Sequence, residues 1–226
     1  MRPFNSITWN SESSLKFGIR ILDRDIPRPS PGIRYERIQI DGRDGDLIAS
    51  LRSIPSVNYT LPINLLDTSK ADEIVEWLRR ELNGDLILSW DDDFVYKAAY
   101  IDPHEINTKL TKLGSADLMF IVHPWKYLAS GQEEVTGTTV TNPTEYDAEP
   151  IYSISGTGNM DVLINGELIR LQNMTGTIII DTEKDLVYGS GLGFQNVLTY
   201  PFPKLKPGEN IFSHSITVQP NWRVRL

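Results

Sequence analysis

Asn142-Pro143-Thr144-Glu145-Tyr146-Asp147-Ala148-Glu149-Pro150 opens the stretch whose reading decides the fold. Ile151-Tyr152-Ser153-Ile154-Ser155-Gly156-Thr157-Gly158 follows, then Val162-Leu163-Ile164-Asn165-Gly166, Ile178-Ile179-Ile180-Asp181, Phe202-Pro203 and Pro207-Gly208-Glu209-Asn210. The chain closes on Ile216-Thr217-Val218-Gln219-Pro220-Asn221-Trp222-Arg223. Each piece is a short β signal bounded by Gly, Pro, Asn or Asp, at the spacing of strands in a β-sandwich. None carries an obvious nucleophile, metal cluster or phosphate loop. The stretch points to a domain that works through shape and contact rather than reaction.

Composition sets the outer bounds. With 226 residues and 40% hydrophobic side chains, the chain can bury one large or two modest cores. No apolar run reaches membrane-spanning length, and the first residues lack the apolar core of a signal peptide. No cysteine is present, which excludes disulfides and thiol chemistry and fits synthesis in a reducing cytoplasm. The net charge of −8 divides into −3 for residues 1–130 and −5 for residues 131–226. Neither half is a basic platform for nucleic acid. Acidity of this kind keeps a protein soluble and repels passing DNA.

The first half mixes strands with one helix. Ile7-Thr8-Trp9 and Leu15-Lys16-Phe17-Gly18-Ile19 alternate like half-buried strands before Pro27, Pro29, Pro31 and Gly32 break the pattern. Tyr35–Ile40 reads as a strand closed by Asp41-Gly42-Arg43-Asp44-Gly45-Asp46, whose two Asp-Gly pairs are a strong hairpin signal. Residues 56–66 alternate again. Ala71, Ile74, Val75, Leu78 and Leu82 form one helical face after a cap at Asp67 or Thr68, with Trp77 at its rim and Gly84 placed to end the helix. Strand patterns return at Asp85–Trp90, Phe94–Ile101 and Ala116–Val122. Residues 129–142 are small and polar, a linker or an edge strand, and a domain boundary is expected near residue 130.

Few residues suggest chemistry. Asp91-Asp92-Asp93 could offer oxygen ligands to Ca²⁺, but lacks the spacing of a calcium loop and reads as a solvated turn. Asp41, Asp44 and Asp46 alternate better, yet a hairpin turn accounts for them. His104, His123 and His214 have no metal-ligand spacing; a Ser-His-Asp triad can assemble from distant positions, but no Gly-x-Ser-x-Gly elbow supports one. Gly189-Ser190-Gly191-Leu192-Gly193 opens no helix, so it reads as a flexible loop rather than a phosphate cradle. Trp9, Trp77, Trp90, Trp125 and Trp222 are read first as packing residues, and only second as sugar platforms. No catalytic, cofactor-binding or metal-binding residue is assigned.

In their order these motifs resemble the distal tail protein family of bacteriophages with long non-contractile tails. The first half contributes Pro31-Gly32 with Arg34, the Asp44-Gly45 turn, Ile74-Val75-Glu76-Trp77-Leu78, Leu86-Ile87-Leu88 and Pro124-Trp125-Lys126-Tyr127. The second contributes Asn142-Pro143, Glu149-Pro150-Ile151, Gly156-Thr157-Gly158, Ile164-Asn165-Gly166, Ile180-Asp181-Thr182-Glu183 and Pro207-Gly208-Glu209-Asn210. Thr144 departs from the pattern, because relatives often carry Gly there.

The resemblance implies a mainly β chain in two domains. Residues 1–130 would form an N-terminal β-sandwich with one α-helix and a β-hairpin. Residues 131–226 would form a C-terminal galectin-like β-sandwich. It implies a homohexameric ring, a structural hub and not an enzyme, at the phage tail tip in the virion. The first domain would make the ring, with the second outside. Asp41, Arg43, Asp44 and Asp46 become candidate oligomer or hairpin contacts. Partners implied are the major tail tube protein, a tail-associated tip protein and receptor-binding proteins, with DNA passing through the lumen without specific binding and no membrane involved. No cofactor is implied, and the length matches short members without inserted carbohydrate-binding modules. Two other readings compete. A carbohydrate-binding module lacks the sugar-contact set of galectins in residues 142–226, and a cell-wall hydrolase has no supporting motif.

Overall fold

The computed structural model describes residues 5–21, 28–32, 35–50, 54–101 and 106–226. Arg34 and His104, both singled out above, lie outside these. The chain is mainly β and falls into two compact units, residues 1–126 with 225–226 and residues 127–224.

The first unit is built on a sheet of short and long strands. These are β1 (Ile7–Trp9), β2 (Glu12–Ser13), β3 (Ile19–Ile21), β6 (Val57–Leu65), β7 (Asn83–Leu88), β8 (Phe94–Ile101) and β9 (Ser115–Leu128). β4 (Tyr35–Ile38) and β5 (Leu47–Ser50) lie between β3 and β6 in sequence but form a separate two-stranded sheet. The main sheet runs β2-β1-β7-β8-β9-β6-β3, and a late strand, Arg223–Arg225, also pairs with β9. Alternation places Tyr59, Leu61 and Ile63 of β6 and Leu118, Phe120 and Val122 of β9 on the buried face. Phe120 lies at its centre, with ring centroids 5.2 Å from Trp9 and 5.7 Å from Tyr100.

Two helices share this core. α1 (Ala71–Arg79) buries Ala71, Ile74, Val75, Trp77 and Leu78, and α2 (Ile106–Leu113) buries Ile106 and Leu110. The Asp67 carboxylate accepts the Ser69 N–H at 2.9 Å and caps the 3-10 turn that leads into α1. Four details differ from the sequence reading. A second helix is present, and its Ile106, Leu110 and Leu113 have helical spacing. Trp77 is a core residue, stacked on Phe17 with centroids 4.8 Å apart. Leu15–Phe17 lies in a 3-10 turn (Ser14–Phe17), not a strand, which leaves Leu15 exposed. Leu82 lies beyond the helix and is exposed, while Gly84 belongs to β7. A Cβ on Gly84 would fall 1.6 Å from Asn10 Oδ1, so close approach rather than helix termination demands this glycine.

The second unit is one continuous sheet around one core. Its strands are β10 (Val135–Asn142), β11 (Ile151–Ile164), β12 (Glu167–Asp181), β13 (Leu186–Gly189), β14 (Leu192–Gly193) and β15 (Gly208–Gln219), followed in sequence by β16 (Arg223–Arg225). The sheet order is β10-β15-β11-β12-β13-β14. β11 and β12 pair antiparallel over almost their whole length, with a register shift between Gly158 and Met160. Tyr152 and Ile154 before the shift and Val162 and Ile164 after it all enter the same core. The long strands therefore double back and supply both layers of a sandwich. Beside the shift, a Cβ on Gly156 would fall 2.4 Å from Met160 Sδ and move that side chain. Gly158 turns at φ +75°, a left-handed value suited to glycine. Trp222 closes the core, as its place near the chain end implies.

Of the linker and edge strand offered for residues 129–142, residues 135–142 are an edge strand. One further reading changes. The glycine-rich segment is a tight β13–β14 turn, held by pairing of Tyr188 with Gly193 and Gly189 with Leu192. Thr144 closes its own turn, because its N–H and hydroxyl both donate to Asn142 Oδ1, at 2.9 and 2.8 Å.

Phe120→Ala should lower unfolding free energy by about 3–5 kcal/mol, because it leaves a cavity between Trp9 and Tyr100. Leu82→Ala, at an exposed position, should change it by less than about 0.5 kcal/mol. Urea unfolding followed by tryptophan fluorescence measures both.

Candidate functional site

The β4–β5 hairpin forms a two-stranded sheet of its own, with its large apolar side chains exposed. Register pairs Tyr35 with Ser50, Glu36 with Ala49, Arg37 with Ile48 and Ile38 with Leu47. In a flat ribbon alternate residues face opposite sides. Tyr35, Arg37 and Ile48 share one face; Glu36, Ile38, Leu47 and Ala49 share the other, which Ile40 extends. Tyr35 is 57% exposed and Ile48 62%, and Ile38, Ile40 and Leu47 are also exposed. Both faces thus present large apolar side chains to solvent. A lone two-stranded hairpin is at best marginally stable in water, and contiguous apolar exposure marks an interaction surface.

Asp41, Arg43, Asp44 and Asp46 sit in the connecting loop, and all are exposed. The Arg43 N–H donates to the Ile40 carbonyl at 3.1 Å, closing the first Asp-Gly turn. Gly42 and Gly45 both adopt φ +82°, the reason each Asp is followed by glycine. Asp46 meets Arg37 across the ribbon at 3.8 Å, a solvent-exposed pair of small energetic weight. The sequence reading fixed on these charged loop residues and passed over the five apolar ones. Their signal was present: Tyr35, Ile38 and Ile40 before the turn and Leu47-Ile48 after it fit neither a one-sided strand nor a buried core.

Asp91-Asp92-Asp93 is not uniformly a solvated turn. Asp92 and Asp93 are exposed, but Asp91 is 9% exposed. Its backbone N–H donates to the Leu88 carbonyl at 2.9 Å, and its own carbonyl accepts from Phe94 N–H at 3.2 Å, which tightens the β7–β8 connection. Its carboxylate accepts from the Tyr96 hydroxyl and from Lys126 Nζ at 3.1 Å, and the exposed Arg28 lies 3.6 Å away. Lys126 Nζ also sits 3.4 Å from the Phe94 ring centroid, a cation–π contact. Burial pushes the Asp91 pKa up, but the bonds from Tyr96 and Lys126 and the two positive charges outweigh it and hold the group below the usual carboxylate range. Burial and the Asp91 charge raise the hydroxyl of Tyr59 well above the ordinary tyrosine value, and burial and the Asp91 hydrogen bond do the same for Tyr96. The cluster ties residue 28 and β9 to the β7–β8 turn. It consumes its carboxylate oxygens internally.

The other candidates are dispersed. His214 is exposed, with Nδ1 2.8 Å from the Ser213 hydroxyl, and His123 is half-buried in β9. Among the described residues no group of three or more His, Asp and Glu side chains could hold a metal ion. Trp9, Trp77 and Trp222 are buried, and Trp125 lies under the Arg225 guanidinium at 5.5 Å. Among the described residues no helix is long and apolar enough to cross a membrane.

No protein-family model and no curated protein sequence matches the chain. Four solved chains do match in structure. Among them is the crystal structure of the SPP1 Dit (gp 19.1) protein, described as a paradigm of the hub adsorption apparatus in phages that infect Gram-positive bacteria. The superposition covers 96% of this chain and 97% of that one, with a TM-score of 0.67 and 13% sequence identity. The chain shares its fold with that protein over nearly its whole length.

Asp91→Asn should reduce stability at pH 7 by about 3 kcal/mol, since it leaves Lys126 without its carboxylate. Asp91 has a depressed folded pKa, so its contribution is fully present above the unfolded value of about 3.9 and is lost as pH falls through the lower folded value. The gap between wild type and variant should therefore narrow as pH falls below about 3.9, as read from urea midpoints.

Proposed function

We propose that the protein is the structural hub of a long, non-contractile phage tail tip. Six copies form a ring that joins the tail tube to tip and host-adhesion proteins and lets DNA pass. The observation that carries this reading is the fold likeness to a hub adsorption protein over nearly all of both chains. Residues 1–130 form the ring and residues 131–226 lie outside it. The partners are the major tail tube protein, a tail-associated tip protein and receptor-binding proteins, and the site of action is the tail tip of the virion. The protein has no reaction to perform in this role.

The hairpin supports the assembly. Apolar residues on both faces of one ribbon suit insertion against a neighbouring copy, and head-to-tail contacts of this kind close into rings when the rotation permits. Asp41, Arg43, Asp44 and Asp46 then lie at the rim of that contact and set its register through charge. The net charge of −8 favours a lumen that does not hold DNA.

Mass photometry of the purified 25.6 kDa chain should show a species of six subunits. Ile38→Asp combined with Ile48→Asp should shift it to monomer with an unchanged circular dichroism spectrum, because neither side chain is buried in the free subunit. A wild-type protein that stays monomeric at high concentration would overturn the ring.

A further inference from the structure

The sheet edges of this protein are very unequal. In the first unit's main sheet the path ends are β2, two residues long, and β3, three residues long. In the second unit one end is β14, also two residues, where the Gly193 N–H is occupied by Asn196 Oδ1 at 3.0 Å. The other end is β10, eight residues long and hydrogen-bonded to β15 on one side only. Natural proteins blunt long edges with Lys, Pro, inward-pointing charge or a bulge. Val135-Thr136-Gly137-Thr138-Thr139-Val140-Thr141-Asn142 has no Lys, Pro or charge and only the register break at Thr138, and four of its five exposed positions are threonines. Composition and exposure together make this edge a template for another strand.

Charge defines what fits. Glu133 and Glu134 precede the edge, Glu145 and Asp147 follow it, and all four are exposed. Among the described residues none of the three glutamates forms an ion pair, while Arg223 donates to the Asp147 carbonyl at 2.7 Å. The edge is thus an uncharged stretch with acid at both ends. A second copy added antiparallel would bring Glu133 and Glu134 of one chain beside Glu145 and Asp147 of the other, which disfavours self-pairing. Shape adds a further condition. Register passes from Gly137 opposite Ile216 to Thr139 opposite Ile211, so Thr138 divides the edge into two straight pieces. An added strand has to bend at its own middle, as glycine allows.

We propose that β10 receives an extended segment of another protein as a seventh strand of this sheet. That segment is uncharged and β-branched in its centre, has a glycine at its midpoint, and carries Lys or Arg at both ends. Backbone hydrogen bonds hold it, and the flanking charges fix its register. The surface lies in the second unit and does not depend on the ring reading above.

The test uses the full chain and a synthetic peptide, Lys-Lys-Val-Thr-Val-Gly-Val-Thr-Val-Lys-Lys, fluorescently labelled. Fluorescence anisotropy at low salt should show saturable binding, and amide hydrogen exchange should slow within residues 135–141. The same peptide with Glu in place of each Lys should bind at least about tenfold more weakly. The triple variant Glu133→Lys, Glu134→Lys, Glu145→Lys changes only exposed side chains and should reverse that preference. Binding that protects other amides, or that ignores both charge swaps, would overturn the proposal. So would absence of peptide binding together with a doubling of mass at high protein concentration, which would assign the edge to a second copy.

Discussion

A β-sheet ends in rows of unpaired N–H and C=O groups, and much of this chain is organised by how those rows are closed. Most of the edges in its two large sheets shrink to two or three residues, too short to template another strand. The second unit goes further. Its longest strands double back at Gly156–Met160, so one continuous sheet supplies both layers and needs only two edges in place of four. Glycine eases the fold-over: Gly158 turns at φ +75°, and a Cβ at 156 would push the Met160 side chain from its place. Among the described residues, two open stretches of strand stand out, the β4–β5 ribbon and the β10 edge. Both are therefore informative about assembly in a way that a generally sticky surface would not be.

The buried carboxylate shows the same discipline with charge. Asp91 lies where water cannot solvate it, yet its oxygens meet a hydroxyl, an ammonium and a guanidinium, so ionisation is favoured within the fold. The arrangement joins elements distant in sequence: residue 28, the β7–β8 turn and β9. Residue 28 lies shortly before the ribbon. The Arg28–Asp91 contact thus attaches the chain leading into that ribbon to the first unit's sheet, through an exposed guanidinium on a buried carboxylate. An exposed partner adds little energy. Its worth is in limiting where the ribbon can start.

Much of the fold was legible because burial here follows strict alternation. Phe94–Ile101 matched its strand in both bounds, and the series from Ile151 to Gln219 declared an all-β unit through its turn residues alone. Where reading failed, the cause was a contact between distant segments. Gly84 carries a helix-end signal, but the demand on it comes from Asn10, 74 positions earlier in the chain. Trp77 sits off the ideal helical stripe, yet Phe17 extends the core to meet it. Asp91 is indistinguishable from Asp92 and Asp93 in sequence, and only the arrival of Tyr96 and Lys126 separates a buried ion from two solvated ones. The second helix is a different case. Ile106, Leu110 and Leu113 had the right spacing, but a short polar-rich segment between strands gave too little periodic signal to outweigh a loop. The candidate site was half legible. Paired Asp-Gly turns located the hairpin, whereas the apolar side chains that give it a purpose passed as ordinary strand residues.

In the role proposed above, the protein would have to satisfy two opposed demands: firm contact with its neighbours and none with what passes through it. The exposed apolar side chains of the ribbon gain from burying area on contact, with the charged loop residues beside them at its rim. Acidic side chains dominate elsewhere, and their repulsion of a polyanion acts at a distance and without shape. The acidity also bears on assembly. Like-charged subunits repel, so with −8 on each copy the proposed ring would close only if apolar burial exceeded that repulsion. Five large side chains on two faces of one ribbon are a concentrated source of such burial. Their placement on an element that contributes nothing to the subunit's own core allows the subunit to fold first and associate afterwards.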